Sequence, residues 1–124
     1  IAVWGLAFKP NTDDTRFAPS LEIVDALIKA GSQITAYDPI ASLKQIFDKK
    51  SSKYREVASA KLALKNADAL IICTEWKEFW SIDPKAFVDI MEEPLIFDGR
   101  NIYSPEIMKN NNILYFAIGR GSQL

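Results

Sequence analysis

Short apolar runs alternate with amphipathic segments along the chain. Short, continuous apolar runs are typical of strands that are covered on both faces of a sheet. The run at 33–37 is closed by Asp38-Pro39, and the run at 95–97 is closed by a polar turn. Strands are therefore predicted at 1–8, 33–37, 56–58, 69–74, 95–97 and 113–118, of which 56–58 is a weak edge strand.

The segments between these runs carry helical signals. Residues 20–30 show an apolar stripe at helical spacing, with Pro19 near the start and Gly31 after the end. Asp83-Pro84 and Ser104-Pro105 each combine a capping side chain with a proline at the first helical position. Helices are predicted at 20–30, 41–49, 60–66 and 84–91, and a further one after Ser104-Pro105.

The alternation of strands and helices predicts the fold class. Right-handed crossovers between parallel strands place helices on both faces of a sheet. We therefore expect a Rossmann-like, doubly wound α/β fold with a mainly parallel sheet of five or six strands. The length of 124 residues suits a single domain, 1–124, with a substantial core.

Composition excludes several classes of site and partner. Fifteen basic and sixteen acidic residues give a net charge of −1, which argues against a nucleic-acid or membrane partner. No apolar stretch reaches the roughly 18 residues that span a bilayer. The chain has no histidine and one cysteine, Cys73, so we expect no disulfide within the chain and no metal site. This cysteine usage suits a reducing cytosol.

Cationic side chains follow several predicted strands within the length of a loop. Because parallel strands end at one edge of the sheet, these side chains are expected to converge there. Arginine offers a planar fork of donors for phosphate oxygens, so an anionic ligand such as a phosphate ester is predicted. An arginine taken singly is better explained by solvation or by pairing with Asp13, Asp14 or Asp98, whereas for the set both interpretations stay open. The cationic residues are Lys9, Arg16, Arg100 and Arg120.

Other candidate residues are better explained by structure. No G-x-G-x-x-G follows the first strand, and Asp38, which stands where a ribose-binding acid would, is expected to end its strand and cap the next helix. Cys73 lies in a buried strand, which indicates a structural residue rather than a nucleophile. The aromatic residues that follow it are expected to pack the loop onto the sheet, with ligand contact left open. They are Trp76, Phe79 and Trp80.

Five segments, in order, resemble motifs of the UDP-glucose/GDP-mannose dehydrogenase family. They are GLAFKPNTDDTR at 5–16, PSL at 19–21, AYDP at 36–39, TEW at 74–76 and FDGRN at 97–101. The similarity covers nearly the whole chain and is confined to the C-terminal, UDP-binding domain of that family. The last two segments are most similar to the UDP-glucose branch.

The resemblance implies a fragment of a longer enzyme, in keeping with an opening inside an apolar run without a methionine. The family oxidises a nucleotide sugar twice at C6, from alcohol to carboxylate, with two NAD⁺, and for this chain the resemblance implies oxidation of UDP-glucose to UDP-glucuronate. It implies three partners: a UDP-sugar, an N-terminal NAD-binding domain and a central helical region that supports homo-oligomers at full length. The nucleophilic cysteine lies upstream, so Cys73 does not inherit its role and no catalytic residue is predicted here. We expect a cytoplasmic enzyme and an inactive isolated fragment.

The resemblance also assigns binding residues. It implies that Phe8 and Lys9 meet the UDP-sugar and that Arg100 approaches its phosphates. Arg16 resembles the arginine that reaches toward the NAD pyrophosphate. Family members often have Glu-Ser where this chain has Phe17-Ala18, and this departure is expected to loosen the orientation of Arg16.

Two non-enzymatic alternatives remain at this point. The first is a stand-alone nucleotide-binding or regulatory module. The second is a receiver-like phosphoacceptor domain, which the set of Asp13-Asp14, Thr74 and Arg100 superficially resembles. A receiver requires its acid pair directly after the first strand and a lysine after the fifth, and this chain has neither.

Overall fold

Six strands form one parallel sheet in the computed structural model, which describes residues 1–16, 18–47 and 53–118. The strands are β1 (Ala2–Trp4), β2 (Ile34–Tyr37), β3 (Tyr54–Glu56), β4 (Leu70–Ile72), β5 (Leu95–Asp98) and β6 (Leu114–Ala117). Their order is β3-β2-β1-β4-β5-β6, and every described pair is parallel. The order reverses between β1 and β4, so the predicted doubly wound fold is confirmed. A receiver-like sheet has the order 2-1-3-4-5 instead.

Two helices begin at the capping signals that the sequence carries. Asp83 accepts a hydrogen bond from Lys85 N at 2.9 Å and Ser104 accepts one from Ile107 N at 3.4 Å, so both predicted caps are confirmed. No helix among the described residues is long and apolar enough to cross a bilayer. The helices are α1 (Pro19–Lys29), α2 (Lys44–Phe47), α3 (Ala60–Leu64), α4 (Lys77–Trp80), α5 (Pro84–Ile90) and α6 (Pro105–Asn110).

Two apolar layers cover the sheet because successive side chains of a strand point to opposite faces. Val3 packs on one face in a cluster with Val24 of α1. On the other face, Trp4 stacks on Phe79 with ring centroids 4.8 Å apart and donates from Nε1 to the carbonyl of Ala60 at 2.9 Å. The largest buried aromatic side chains therefore lie behind the middle of the sheet, where β1 and β4 meet.

The face on the α1 side stays partly open at β5 and β6. Phe97 is 42% exposed, Leu114 is 55% exposed and Ile118 is 68% exposed. Phe97 stacks on Phe116 with ring centroids 5.3 Å apart, so these apolar side chains form a continuous surface.

Several predicted boundaries are wrong. The first strand ends at Trp4 rather than at residue 8, because Gly5 has a φ of +90° and turns the chain out of the sheet. The edge strand lies at Tyr54–Glu56 instead of 56–58, and the helix predicted at 41–49 spans Lys44–Phe47 where it is described. Helix α4 was not predicted, because four residues are too short to show a helical period.

Gly5 is expected to be the glycine that tolerates substitution least. A Cβ at Gly5 would lie 2.5 Å from Cβ of Thr74, in addition to the backbone strain of a positive φ. We expect Gly5→Ala to lower the free energy of unfolding by about 3–5 kcal/mol. Gly31→Ala is the matched control, because Gly31 has a φ of +98° but no atom within 4 Å, and it should cost about 1–2 kcal/mol. Urea denaturation measures both; equal losses would show that the contact with Thr74 is unimportant.

Candidate functional site

The loop that follows β1 lies at the carboxyl edge of the sheet, beside the reversal of strand order, and its backbone is held by three side chains. Asp38 Oδ2 accepts hydrogen bonds from Leu6 N at 2.7 Å and from Ala7 N at 3.1 Å. Ser20 Oγ donates to the carbonyl of Leu6 at 2.8 Å, and Thr74 Oγ1 donates to the carbonyl of Ala7 at 2.5 Å. We call Asp38, Ser20 and Thr74 the loop clamp; they come from β2, α1 and β4 respectively or from the residues next to them.

Asp38 also bonds groups outside this loop. Its Oδ1 accepts from Ile40 N at 2.8 Å and from Ala41 N at 2.7 Å, and its Oδ2 accepts from Trp76 Nε1 at 3.1 Å. The prediction that Asp38 ends its strand is confirmed. The prediction that it caps the next helix is wrong, because α2 begins only at Lys44 and the carboxylate caps the intervening turn.

Phe8 and Lys9 leave the buried part of the loop and reach the surface together. Phe8 N donates to the carbonyl of Asp14 at 3.0 Å, which closes the loop back on itself. Phe8 is 37% exposed, and Nζ of Lys9 lies 5.3 Å from the centroid of its ring. An aromatic face and an ammonium group are thus presented side by side.

Arg16 forms an ion pair with Asp14 on the same loop. Its Nε lies 3.1 Å from Oδ1 and its Nη2 lies 2.9 Å from Oδ2. These hydrogen bonds lower the pKa of Asp14 to about 2 and raise the pKa of Arg16. The alternative interpretation of Arg16, pairing with Asp14, is therefore confirmed. Phe17 lies outside the described residues. The expected loosening of Arg16 by Phe17-Ala18, where family members often have Glu-Ser, therefore stays a prediction.

Arg100 pairs with an acid that the sequence did not single out as its partner. Its Nε donates to Oε2 of Glu75 at 2.5 Å. The alternative that the guanidinium of Arg100 pairs with the side chain of Asp98 is therefore wrong. Asp98 is buried, and its carboxylate accepts hydrogen bonds from the backbone nitrogens of Arg100 and Ile102, each at 2.8 Å. It also accepts one from the hydroxyl of Tyr115 at 2.5 Å. Asp98 shapes the turn, and Glu75 orients the guanidinium.

A cavity of about 530 Å³ opens beside Arg100. It lies between the start of α1 and the exposed apolar surface of β5 and β6, so its walls are mainly apolar and Arg100 supplies a charge at one end. Its lining includes Pro19, Ile23, Cys73, Phe97, Phe116 and Arg100.

The three aromatic residues after β4 differ in their exposure to solvent. Trp76 and Phe79 are buried, so the packing prediction is confirmed for them. Trp80 is 58% exposed and lines a second cavity of about 290 Å³, together with Asn11 and Pro39. Trp76 also borders this cavity, so ligand contact stays open for Trp76 and Trp80 and not for Phe79.

Cys73 is buried, as predicted for a structural residue. Burial raises the pKa of its thiol to about 12, although the positive charge of Arg100 acts in the opposite direction. A thiol with so high a pKa is almost wholly protonated near neutral pH, so Cys73 is a poor nucleophile.

Lys9, Arg16 and Arg100 reach the surface at the carboxyl edge, where Arg16 pairs with Asp14 and Arg100 pairs with Glu75. Lys9 and Arg16 share the loop after β1, and Arg100 follows β5, while Arg120 lies outside the described residues. Sequence reasoning missed Glu75 and the loop clamp, although Thr74 ends the strand predicted at 69–74 and Glu75 directly follows it. The exposed cationic side chains at this edge can bind an anion, because charge-assisted hydrogen bonds from arginine suit phosphate and carboxylate oxygens.

Comparisons with known proteins match the chain to one family. The model of the UDP binding domain of the UDP-glucose/GDP-mannose dehydrogenase family matches residues 2–105. Two UDP-glucose 6-dehydrogenases, one from Pseudomonas aeruginosa and YwqF from Bacillus subtilis, are each 42% identical to this chain, over 97% of it and 27% of the relative. The solved UDP-D-ManNAc dehydrogenase from Pyrococcus horikoshii is 31% identical, with a TM-score of 0.76 over 97% of this chain and 25% of that one. The chain spans about a quarter of the length of these relatives.

Cys73 is expected to resist thiol reagents in the folded chain. With a pKa of about 12, roughly one thiol in ten thousand is ionised at pH 8, against about a quarter for an ordinary cysteine. The labelling rate should be at least a thousandfold slower than in the urea-unfolded chain, because burial also blocks access. It should keep rising about tenfold per pH unit from pH 8 to 10, whereas the unfolded chain levels off near pH 9. Rapid labelling of the folded chain at pH 8 would contradict this assignment.

Proposed function

Because the chain belongs to the UDP-glucose/GDP-mannose dehydrogenase family, we propose that it supplies the UDP-sugar site of a longer, NAD-dependent UDP-glucose 6-dehydrogenase. The observation that carries the proposal is the placement of Lys9 and Arg100 at the carboxyl edge of the sheet, with Glu75 bound to Nε of Arg100. UDP-glucose is favoured as substrate because the two relatives that are 42% identical to the chain are UDP-glucose 6-dehydrogenases.

In this proposal, Lys9 and Arg100 bind the diphosphate. The bond from Glu75 engages Nε of Arg100, and among the described residues no acceptor contacts its Nη1 or Nη2. Both terminal nitrogens therefore remain for phosphate oxygens, in the forked geometry that arginine prefers. Phe8, exposed beside Lys9, supplies an apolar surface to the sugar nucleotide.

Arg16 is proposed to serve the NAD pyrophosphate. Its guanidinium is held by Asp14 through two nitrogens, yet its side chain is 82% exposed, so it extends outward from the domain. The remaining three quarters of the longer protein would bind NAD mainly, supply the nucleophile and form the homo-oligomer. We propose a cytoplasmic location, which suits an enzyme with one buried, free cysteine. The family match favours this function over a stand-alone or receiver-like module.

Calorimetry at low salt tests the proposed site. The chain should bind UDP-glucose and UDP weakly, uridine more weakly and NAD⁺ hardly at all, because one domain supplies only part of a cleft and exposed charges are screened by water. We expect Arg100→Gln to lower the affinity for UDP about tenfold and to leave that for uridine unchanged. Arg55→Gln, on the exposed edge strand β3, is the matched control. Equal binding of UDP and uridine would contradict the phosphate site, and tight NAD⁺ binding would contradict the assignment of the domain.

The 124-residue chain should form no NADH from UDP-glucose and NAD⁺. Cys73, the one cysteine of the chain, is buried and a poor nucleophile, and covalent catalysis cannot proceed without a nucleophile. Absorbance at 340 nm measures the reaction, with a full-length relative as the positive control. Turnover by the purified chain alone would show that the catalytic residues lie within these 124 residues.

A further inference from the structure

We propose that Asp38 is a positioning residue that holds Phe8 and Lys9 in place for the diphosphate. The acid at the end of β2 thus serves the ligand through the backbone of the neighbouring loop rather than by touching it. This inference rests on the proposed function, since it assumes that Lys9 binds phosphate.

The backbone of Leu6 and Ala7, directly before Phe8, depends on side chains of other elements for its hydrogen bonds. Leu6 and Ala7 are fully buried, yet the loop has left the sheet at Gly5, so their N–H and C=O groups have no strand partner. Buried backbone groups must be paired, and here all four are paired by the side chains of the loop clamp. Asp38 alone satisfies both N–H groups.

The carboxylate of Asp38 has little capacity left for a ligand. Two oxygens offer about four lone-pair sites, and five donors already occupy them. In dinucleotide-binding sheets the acid at this place bonds ribose hydroxyls. In this chain the same place is filled by internal donors, which indicates a positioning residue and not a ribose contact.

Asp38 also connects the two sides of the proposed phosphate site. One oxygen, Oδ2, accepts from the loop that carries Lys9 and from the indole of Trp76. Trp76 directly follows Glu75, the residue that orients Arg100. A single carboxylate therefore fixes the spacing between the segments that present the two cations.

An isosteric substitution separates positioning from overall stability. In Asp38→Asn, one of the two oxygens becomes an NH₂ group, which cannot accept from the loop and the turn at once. We expect amide hydrogen exchange at Leu6 and Ala7 to speed up at least tenfold, and the affinity for UDP in an NMR titration to fall about tenfold. The affinity for uridine should not change, since uridine has no phosphate. Uridine is the internal control, because partial unfolding would lower the affinity for both ligands equally. Asp25→Asn is the control, since Asp25 pairs with Lys29 on the surface of α1, away from the loop clamp.

A second pair of variants tests the clamp independently. Thr74→Val keeps the shape of the side chain but removes the hydroxyl that donates to Ala7, whereas Thr74→Ser keeps the hydroxyl. We expect Thr74→Val to reduce the preference for UDP over uridine about fivefold to tenfold, and Thr74→Ser to restore most of it. If Asp38→Asn does not fold, the two Thr74 variants still test whether the loop clamp positions Lys9 for the diphosphate.

The outcomes distinguish the two proposals. If the unchanged chain binds UDP no better than uridine, the proposed function is wrong, and this inference falls with it. If the unchanged chain prefers UDP and the Asp38 and Thr74 variants keep that preference while the loop loses its protection, only the positioning inference is wrong. Loss of preference in Asp38→Asn and Thr74→Val, with rescue in Thr74→Ser, supports both.

Discussion

Parallel strands that end at one edge release backbone N–H and C=O groups that the sheet no longer pairs. Where that edge is buried, each released group must find a partner in the loops. Two aspartates at strand ends meet this demand here. Asp38 accepts five hydrogen bonds after β2, and Asp98 accepts three at the end of β5. An ionised carboxylate suits the task because it only accepts, and its charge strengthens each bond.

This internal use of acids determines which charges face solvent. Asp38 and Asp98 are turned toward the backbone, so the loops keep Lys9, Arg16 and Arg100 on the outside. Each arginine is oriented by one neighbouring carboxylate through Nε, but such exposed pairs contribute only about 0–1 kcal/mol. Such pairs orient the guanidinium groups while contributing little to stability, which suits the phosphate contacts of the proposed function.

The sheet and most of its helices followed from the sequence because strand and helix periods are local. The ends of β1 and the partners of the charged residues did not, because they depend on contacts between distant segments. Asp38 bonds Leu6, which lies 32 residues away, and Arg100 pairs with Glu75, 25 residues away, rather than with the adjacent Asp98. The hydrophobic periodicity of a segment carries no information about contacts between residues so far apart in the chain. Burial of Cys73, by contrast, was readable from the continuous apolar run around it.

The strand order matches that of dinucleotide-binding sheets, yet the first loop takes a different course. In those sheets a tight glycine turn brings the start of the first helix to the pyrophosphate. Residues 5–18 separate β1 from α1 here, and the first turn of α1 has no side-chain cap at Ala18. The acid after β2 is occupied by internal donors. Under the proposed function, phosphate recognition passes from backbone amides to side chains such as Lys9 and Arg100, so the same strand order would serve a second kind of nucleotide.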